Sequence, residues 1–229
     1  MFDDISHLTF DCYGTLIDWE RGILQTLQPF FARSERAPVP EAILRSYVDH
    51  EARLEAQQWM PYRRVLRGVL QGIAADFKIT LTESNQDELA LSLPDWPPFA
   101  DTRKTLQRLK SRFKLVIVSN IDDDLFAATQ KKLGLAFDAV ITAEQLKSYK
   151  PGTAHFAEVL RRLGIGANNI LHVAQSLYHD HVPAQHFGFR TAWINRPSIL
   201  PGTGLAPKVA VTPDLVFGDL ASFADHLLR

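Results

Sequence analysis

The amino-acid sequence predicts an α/β protein with a doubly wound parallel sheet and a helical insertion. Two observations carry this prediction. From residue 97 onward, short apolar runs alternate with stretches of helical periodicity, an order typical of parallel βαβ units. Between residues 19 and 96 the apolar residues recur at helical spacing, and no convincing strand is found there.

The first predicted strand is a short apolar run that ends in an acid. Residues 7–11 read HLTFD and are followed by Tyr-Gly-Thr, which indicates a buried strand that breaks into a loop. The helical spacing of the insertion is clearest in residues 65–73, and the proline-rich segment 94–98 closes it. We therefore predict that the helical insertion separates the first strand from the rest of the sheet.

The remaining chain supplies the other elements of the sheet in a regular order. Its patterns predict helices at 102–112, 122–133, 153–163 and about 178–187, strands at 113–118, 137–141, 170–174, 191–194 and 215–217, and a C-terminal helix. Parallel sheets of this kind hold their chemistry in the crevice at the carboxyl ends of the strands. Functional residues are therefore expected immediately after the predicted strands.

Composition and charge exclude several classes of function. The chain has 229 residues, 46% of them hydrophobic and 22% charged, and a formal net charge of −1. This leaves no broad basic field for nucleic acid or an anionic membrane. The single cysteine, Cys12, excludes an intrachain disulfide and a cysteine-based zinc site. Neither a signal peptide nor a membrane-length apolar run is apparent, so we predict a cytoplasmic protein.

Polar side chains follow three of the predicted strands. The candidates are Asp11 after the first strand, Ser119 and Asn120 after the second, Ser176 and Asp180 after a later one, and Lys150 in a loop before another helix. If the sheet is parallel, all of these residues face one crevice. Their convergence is the physical reason to expect an active site there.

Four segments resemble, in order and spacing, the motifs of the haloacid dehalogenase superfamily. They are residues 10–16 (FDCYGTL), residues 118–120 (VSN), residues 148–151 (SYKP) and residues 176–180 (SLYHD). The resemblance covers nearly the whole chain. It implies a Rossmann-like core made of residues 1–18 and 97–229, an inserted α-helical cap domain at 19–96, and an aspartyl–enzyme intermediate on Asp11.

One position of the first motif separates the branches of this superfamily. Its phosphatases use Asp-x-Asp, in which the second Asp protonates the leaving oxygen, whereas this chain has Tyr13. A phenol with a pKa of about 10 is a poor substitute at neutral pH. Asp180 also has His179 as its neighbour, where the phosphatases commonly have a second acid, and this is a thin ligand set for Mg²⁺. These features resemble the L-2-haloacid dehalogenases of type II and imply no metal and no cofactor.

The resemblance implies hydrolytic dehalogenation of short 2-haloalkanoic acids. Asp11 would attack the carbon that bears the halogen and form an ester, which water would then hydrolyse. Lys150 would keep Asp11 ionised through its opposite charge. Asp180 would orient or deprotonate the hydrolytic water. A halide leaves without a proton, which gives a chemical reason for the loss of the second Asp.

By the same resemblance, other residues would contact the substrate or position the acids. Ser119 and Thr15 would hold the substrate carboxylate, and Asn120 would contact the departing halide. Ser176 would help to position the acidic groups, and Tyr13 completes the substrate-binding set.

The resemblance also implies a halide-binding arginine from the cap. Arg45 is nearest to it in spacing, with Arg53 and Arg63 as rivals.

Histidines around the fourth motif have plainer interpretations. His172 lies inside an apolar strand and is interpreted as a hydrogen-bonded core histidine. His179, His181 and His186 are helically spaced, but no further ligands of suitable spacing accompany them, so no metal site is predicted. His179 adjoins Asp180 and could tune it.

Three other functions stay open at this point. The same ester mechanism could act on another electrophilic carbon, as in azetidine-2-carboxylate or fluoroacetate, and halide release separates these cases. Phosphomonoester hydrolysis predicts dependence on Mg²⁺, and a non-enzymatic binding module predicts tolerance of Asp11→Asn. The expected partner is a small anionic organic acid, without nucleic acid or membrane. Proteins of the resembling subgroup are often dimers, so the resemblance also implies a homodimer.

Overall fold

The computed structural model describes residue 2 and residues 4–32, 37–199 and 209–229. In these residues the strands form one six-stranded sheet in the order β3-β2-β1-β4-β5-β6, and every neighbouring pair is parallel. The strands are β1 (His7–Phe10), β2 (Lys114–Ser119), β3 (Ala139–Thr142), β4 (Ile170–Ala174), β5 (Arg190–Ile194) and β6 (Leu215–Phe217). The predicted α/β class with a Rossmann-like parallel sheet is confirmed.

Ten α-helices are found in the described residues. They are α1 (Trp19–Phe31), α2 (Pro40–Glu55), α3 (Tyr62–Phe77), α4 (Glu88–Ser92), α5 (Thr102–Lys110), α6 (Asp123–Leu133), α7 (Ala143–Leu146), α8 (Ala154–Leu163), α9 (Val182–His186) and α10 (Leu220–Leu227). The first five lie between β1 and β2 in the chain, and the other five follow later strands. None of the described helices combines the length and the apolar character that a membrane span needs.

Helix α3 illustrates why the insertion is helical. Its buried side chains include Val65, Leu66, Val69, Leu70 and Ile73, which recur three and four residues apart. Such spacing gives a helix one apolar face, and burial of that face stabilises the helix by roughly 25 cal/mol for each Å² removed from water. Helix α3 packs extensively against α2. The predicted helical periodicity of this segment is therefore confirmed.

The segment that follows β4 differs from its prediction. A single helix over about 178–187 was expected, but residues 177–181 form a π-helical turn before α9 begins. The N–H of His181 bonds the carbonyl of Ser176, five residues earlier, and Pro183 enters α9 without an N–H to donate. The wider turn leaves Asp180 almost completely buried below the carboxyl ends of the strands.

Strand β1 occupies the centre of the sheet, and this determines where polar groups can meet. It pairs with β2 on one side and with β4 on the other. Asp11 follows β1 directly, Ser119 ends β2, and the π-helical turn follows β4 shortly after. Because the strands are parallel, these residues come together at one edge of the sheet.

Candidate active site

A cavity of about 460 Å³ opens at this edge of the sheet. The predicted site residues that line it include Asp11, Ser119, Asn120, Lys150, Ser176 and Asp180. The convergence that the sequence predicted is thus present in the structure. Helices α2 and α3 supply a second wall, formed by Tyr47, Val48, Glu51, Ala52, Glu55, Ala56 and Tyr62.

A lysine between two carboxylates forms the centre of the site. Lys150 Nζ donates to Asp11 Oδ1 at 2.9 Å and to Asp180 Oδ1 at 2.7 Å. It also donates to the carbonyl of Val118 at 2.9 Å, so the three ammonium hydrogens each have an acceptor. The two carboxylates outweigh the effect of burial and raise the pKa of Lys150, which therefore stays protonated.

Asp11 is fixed through both carboxylate oxygens. Oδ1 accepts from Lys150, and Oδ2 accepts from the hydroxyl of Thr15 at 2.7 Å. Thr15 in turn accepts from the backbone N–H of Gln175 at 3.0 Å, which ties the loop after β1 to the end of β4. Burial raises the pKa of Asp11, whereas Lys150 and Thr15 oppose that rise. The carboxylate is thus oriented, and its ionisation depends on Lys150.

Asp180 is held in its ionised form by two neighbours. Burial alone would raise its pKa, but Lys150 and a hydrogen bond from His172 lower the pKa of Asp180 below its usual range. His172 Nε2 is 3.0 Å from Asp180 Oδ1, and its Nδ1 is 2.8 Å from Thr9 Oγ1 on β1. His172 is therefore a buried, hydrogen-bonded histidine as interpreted, but its partner is the acid of the site.

Two predicted substrate contacts lie at the cavity with different environments. Ser119 is buried, and its hydroxyl has no hydrogen-bond partner among the described residues. Asn120 instead clamps the loop that carries Lys150. Its Nδ2 donates to the carbonyl of Lys150 at 3.1 Å, and its Oδ1 accepts the N–H of Lys150 at 2.7 Å. The Ser119 hydroxyl is thus available for a ligand, whereas the Asn120 amide already positions the lysine.

Ser176 caps the start of the π-helical turn. Its hydroxyl accepts from the N–H of His179 at 3.1 Å and lies at the same distance from His179 Nδ1. Burial lowers the pKa of His179 to about 4, so this ring is neutral at neutral pH. The histidines of this region form no ligand cluster, since the described residues contain no group of three or more His, Cys, Asp or Glu suited to a metal ion.

Of three further expected substrate contacts, Tyr13 lines the cavity, whereas Thr15 and Arg45 do not. Thr15 is fully buried and bonds Asp11 rather than lining the cavity. Tyr13 lines the cavity, and its hydroxyl is hydrogen-bonded to Thr129 Oγ1 at 2.8 Å. Arg45 lies away from the cavity, so the expectation for this residue is wrong in this structure. It is half-exposed and pairs with Glu41, one turn earlier on α2, at 2.6 Å.

The other two arginines considered for this role do not line the cavity either. Arg53 is an exposed residue of α2, and Arg63 pairs with Asp124 near the start of α6. The described cavity wall therefore contains no arginine.

The polar residues that α2 contributes to this wall, Tyr47, Glu51 and Glu55, were not predicted. Tyr62 Oη donates to Glu51 Oε1 at 2.5 Å, and Tyr47 Oη donates to the same atom at 3.1 Å. Tyr47, Glu51 and Glu55 are four residues apart along α2, so they lie on one helical face. That spacing is a sequence signal that the three residues share a face, but it does not say toward what the face is turned.

The fold and this cluster define a class of α/β enzymes that hold an aspartate, a lysine and a second aspartate at the carboxyl edge of a parallel sheet. The chain belongs to the haloacid dehalogenase-like hydrolases, whose family model matches residues 5–177. The resemblance drawn from the four motifs is thereby confirmed, and the protein is a hydrolase.

Individual relatives match along almost the entire chain. The (S)-2-haloacid dehalogenase 4A of Burkholderia cepacia is 27% identical over 90% of each chain. An (S)-2-haloacid dehalogenase of Pseudomonas putida is 24% identical over 99% of this chain and 98% of its own. A solved L-2-haloacid dehalogenase of Xanthobacter autotrophicus, with chloropropionic acid covalently bound, superposes with a TM-score of 0.83 over 98% of both chains at 23% identity.

Proposed function

We propose that this protein hydrolyses short 2-haloalkanoic acids through an ester formed on Asp11. The observation that carries the proposal is the environment of this carboxylate. This carboxylate is buried at the carboxyl edge of the parallel sheet and oriented by Lys150 and Thr15. It lines a cavity that Ser119, whose hydroxyl has no described partner, also lines. The naming of several relatives as (S)-2-haloacid dehalogenases supports this function.

In the first step the Asp11 carboxylate attacks carbon 2 of the substrate. The carbon–halogen bond breaks, its electron pair leaves with the halide, and a carbon–oxygen bond to Asp11 forms. No proton accompanies the halide, so the reaction needs no acid at the position of Tyr13. The hydroxyl of Ser119 is the group that would hold the substrate carboxylate, because it is buried and has no described partner.

In the second step water attacks the carbonyl carbon of the ester. One proton of the water ends on the hydroxyl of the product, and the other leaves to solvent as the Asp11 carboxylate is regenerated. Asp180 is ionised and buried beside Lys150, which suits it to accept a hydrogen bond from this water and orient it. Lys150 and His172 would act through Asp180 as positioning residues.

The residues of the site do not fit Mg²⁺, the metal of the phosphatase branch. Asp11 and Asp180 both point one oxygen at Lys150 Nζ, so an ammonium group already lies between the two carboxylates. Mg²⁺ requires near-octahedral oxygen ligands, and Tyr13 directs its hydroxyl to Thr129. We therefore assign no catalytic step to a metal.

We also propose that residues 19–96 act as a cap over the cavity, with the core formed by residues 1–18 and 97–229. Support comes from the wall of α2 and α3, which faces Asp11 and Lys150 across the cavity. Tyr62 further connects the two parts, because its backbone N–H donates to Asp122 Oδ1 at 2.7 Å. Such a cover would exclude water from the ester while it forms.

The proposed function predicts halide release that is independent of metal. We expect EDTA-treated protein to release chloride or bromide from at least one of 2-chloropropanoate, 2-bromopropanoate and chloroacetate, at a rate unchanged by added Mg²⁺. Ion chromatography of the reaction would measure it, with a sample lacking protein as the blank. Cleavage of a generic phosphate ester only when Mg²⁺ is present, without halide release, would contradict the proposal.

A further inference from the structure

The cavity carries more negative than positive groups. The carboxylates among its described lining residues are Asp11, Glu20, Glu51, Glu55 and Asp180. Lys150 is the only lysine or arginine in this described lining, and its three hydrogens already have acceptors. An anionic haloacid would therefore meet several carboxylates and no free cation.

Glu51 and Glu55 form the acidic part of the α2 wall. The Glu51 carboxylate accepts hydrogen bonds from two tyrosine hydroxyls. The Glu55 carboxyl group has no hydrogen bond or ion pair with a described residue. Burial raises the pKa of both carboxyls, and Glu51 raises that of Glu55 further. Two adjacent and partly buried carboxylates repel each other, and a cation bound between them would relieve that repulsion.

Aromatic rings surround the same wall. Trp19 and Tyr47 have ring centroids 5.7 Å apart, and Tyr62 and Tyr149 are 6.3 Å apart. All four residues line the cavity. The faces of Trp and Tyr attract ammonium groups, most strongly where water is excluded. Carboxylates and aromatic rings together make a site suited to a substituted ammonium.

The core side of the cavity offers a second and independent observation. The hydroxyl of Ser119 is buried and unpartnered among the described residues, and Ser119 is one of the residues that line the cavity. An unsatisfied buried hydroxyl is costly unless a ligand bonds it. The cavity thus has an unpartnered hydroxyl on the core side, at Ser119, and, among the described residues, an unpartnered carboxyl on α2, at Glu55.

We infer that the preferred substrate is a zwitterion, with its carboxylate at Ser119, its electrophilic carbon at Asp11 and an ammonium group between Glu51, Glu55 and the surrounding rings. This inference rests on the proposed function, since it uses the same cavity and nucleophile. A cavity of about 460 Å³ has room for such an extended acid beyond a three-carbon one.

A matched pair of ligands tests the ammonium site without turnover. 4-(Trimethylammonio)butanoate and 5,5-dimethylhexanoate have the same shape and differ in one positive charge. Calorimetry with the wild-type protein should give an affinity roughly tenfold or more higher for the ligand with the ammonium group. Glu55→Gln should reduce this ratio of affinities severalfold. Glu41→Gln, on the exposed face of the same helix, should leave the ratio unchanged.

Equal affinity for both ligands, or a ratio that Glu55→Gln does not alter, would overturn the inference. Halide release from the 2-chloro derivatives of the same two acids separates this failure from that of the proposed function. Halide release from the acid without the ammonium group, together with equal binding of both ligands, overturns the ammonium site alone. Preferential binding of the zwitterion without halide release from any acid supports the ammonium site and contradicts dehalogenation.

Discussion

Asp11→Asn should lower halide release by at least about 10⁴-fold. The amide has nearly the shape of the carboxylate, but it has no anionic oxygen to attack carbon 2. The hydrogen bond from Thr15 can persist, so the loss would be one of chemistry rather than of folding. Initial rates of halide release, together with the circular dichroism of the variant, would measure both parts of this expectation.

Asp124→Asn provides the matched control for this substitution. Asp124 is an exposed residue at the start of α6, outside the cavity, and its variant should retain nearly full activity. Freshly purified Asp11→Asn protein should be used, since deamidation would restore the nucleophile. Activity within tenfold of the wild type in undeamidated protein would contradict the role of Asp11.

Lys150→Met should have the largest effect on stability, with a loss of about 3–5 kcal/mol in the free energy of unfolding. The side chain is only 2% exposed, and methionine would fill much of its volume. Its removal leaves two buried carboxylates facing each other without the ammonium. Chemical denaturation of wild type and variant would measure the difference, and turnover should fall by on the order of 10²–10³-fold.

The effect of Lys150→Met should increase with pH. In the wild type the folded pKa of Asp180 is lowered, so its contribution to stability is present above the unfolded pKa and is lost as pH falls toward the folded value. In the variant, burial without Lys150 would raise the pKa of both carboxyls. The folded state would then bind more protons than the unfolded state, and its stability should fall as pH rises from about 5 to about 8.

Lys114→Met is the control for the loss of a lysine. Lys114 begins β2, its side chain is 65% exposed, and it pairs with Asp138 at 3.3 Å. Exposed pairs contribute about 0–1 kcal/mol, so this variant should unfold almost as the wild type does. A Lys150→Met protein with equal stability at both ends of the pH range would refute the electrostatic account of the site.

Much of the fold could be predicted because its signals are local. Apolar runs bounded by polar loops identified the strands, and helical spacing identified α3. A parallel sheet places the ends of its strands at one edge, so the convergence of Asp11, Ser119, Lys150 and Asp180 could be predicted without tertiary contacts. Bounds of single elements moved by a few residues because hydrogen bonds, not composition, decide where a helix or strand ends.

The features that the sequence did not predict depend on tertiary packing. Arg45 was chosen by spacing from the motifs, but the rotation of α2 turns it toward Glu41 and solvent. The same rotation turns Glu51 and Glu55 to the cavity, which the spacing of these residues alone could not decide. His172 is the hydrogen-bonded core histidine that the sequence predicted, but its partner could not be predicted, because Asp180 approaches it only through the π-helical turn.

The fate of the oxygen of water tests the central claim most directly. A single turnover with excess enzyme in H₂¹⁸O, followed by mass spectrometry of product and of the peptide that contains Asp11, distinguishes two mechanisms. Attack by Asp11 predicts an unlabelled product hydroxyl and one ¹⁸O in the Asp11 carboxylate, because water attacks the ester carbonyl. A labelled product with an unlabelled Asp11 peptide would mean that water attacks carbon 2 directly, and would contradict the ester mechanism.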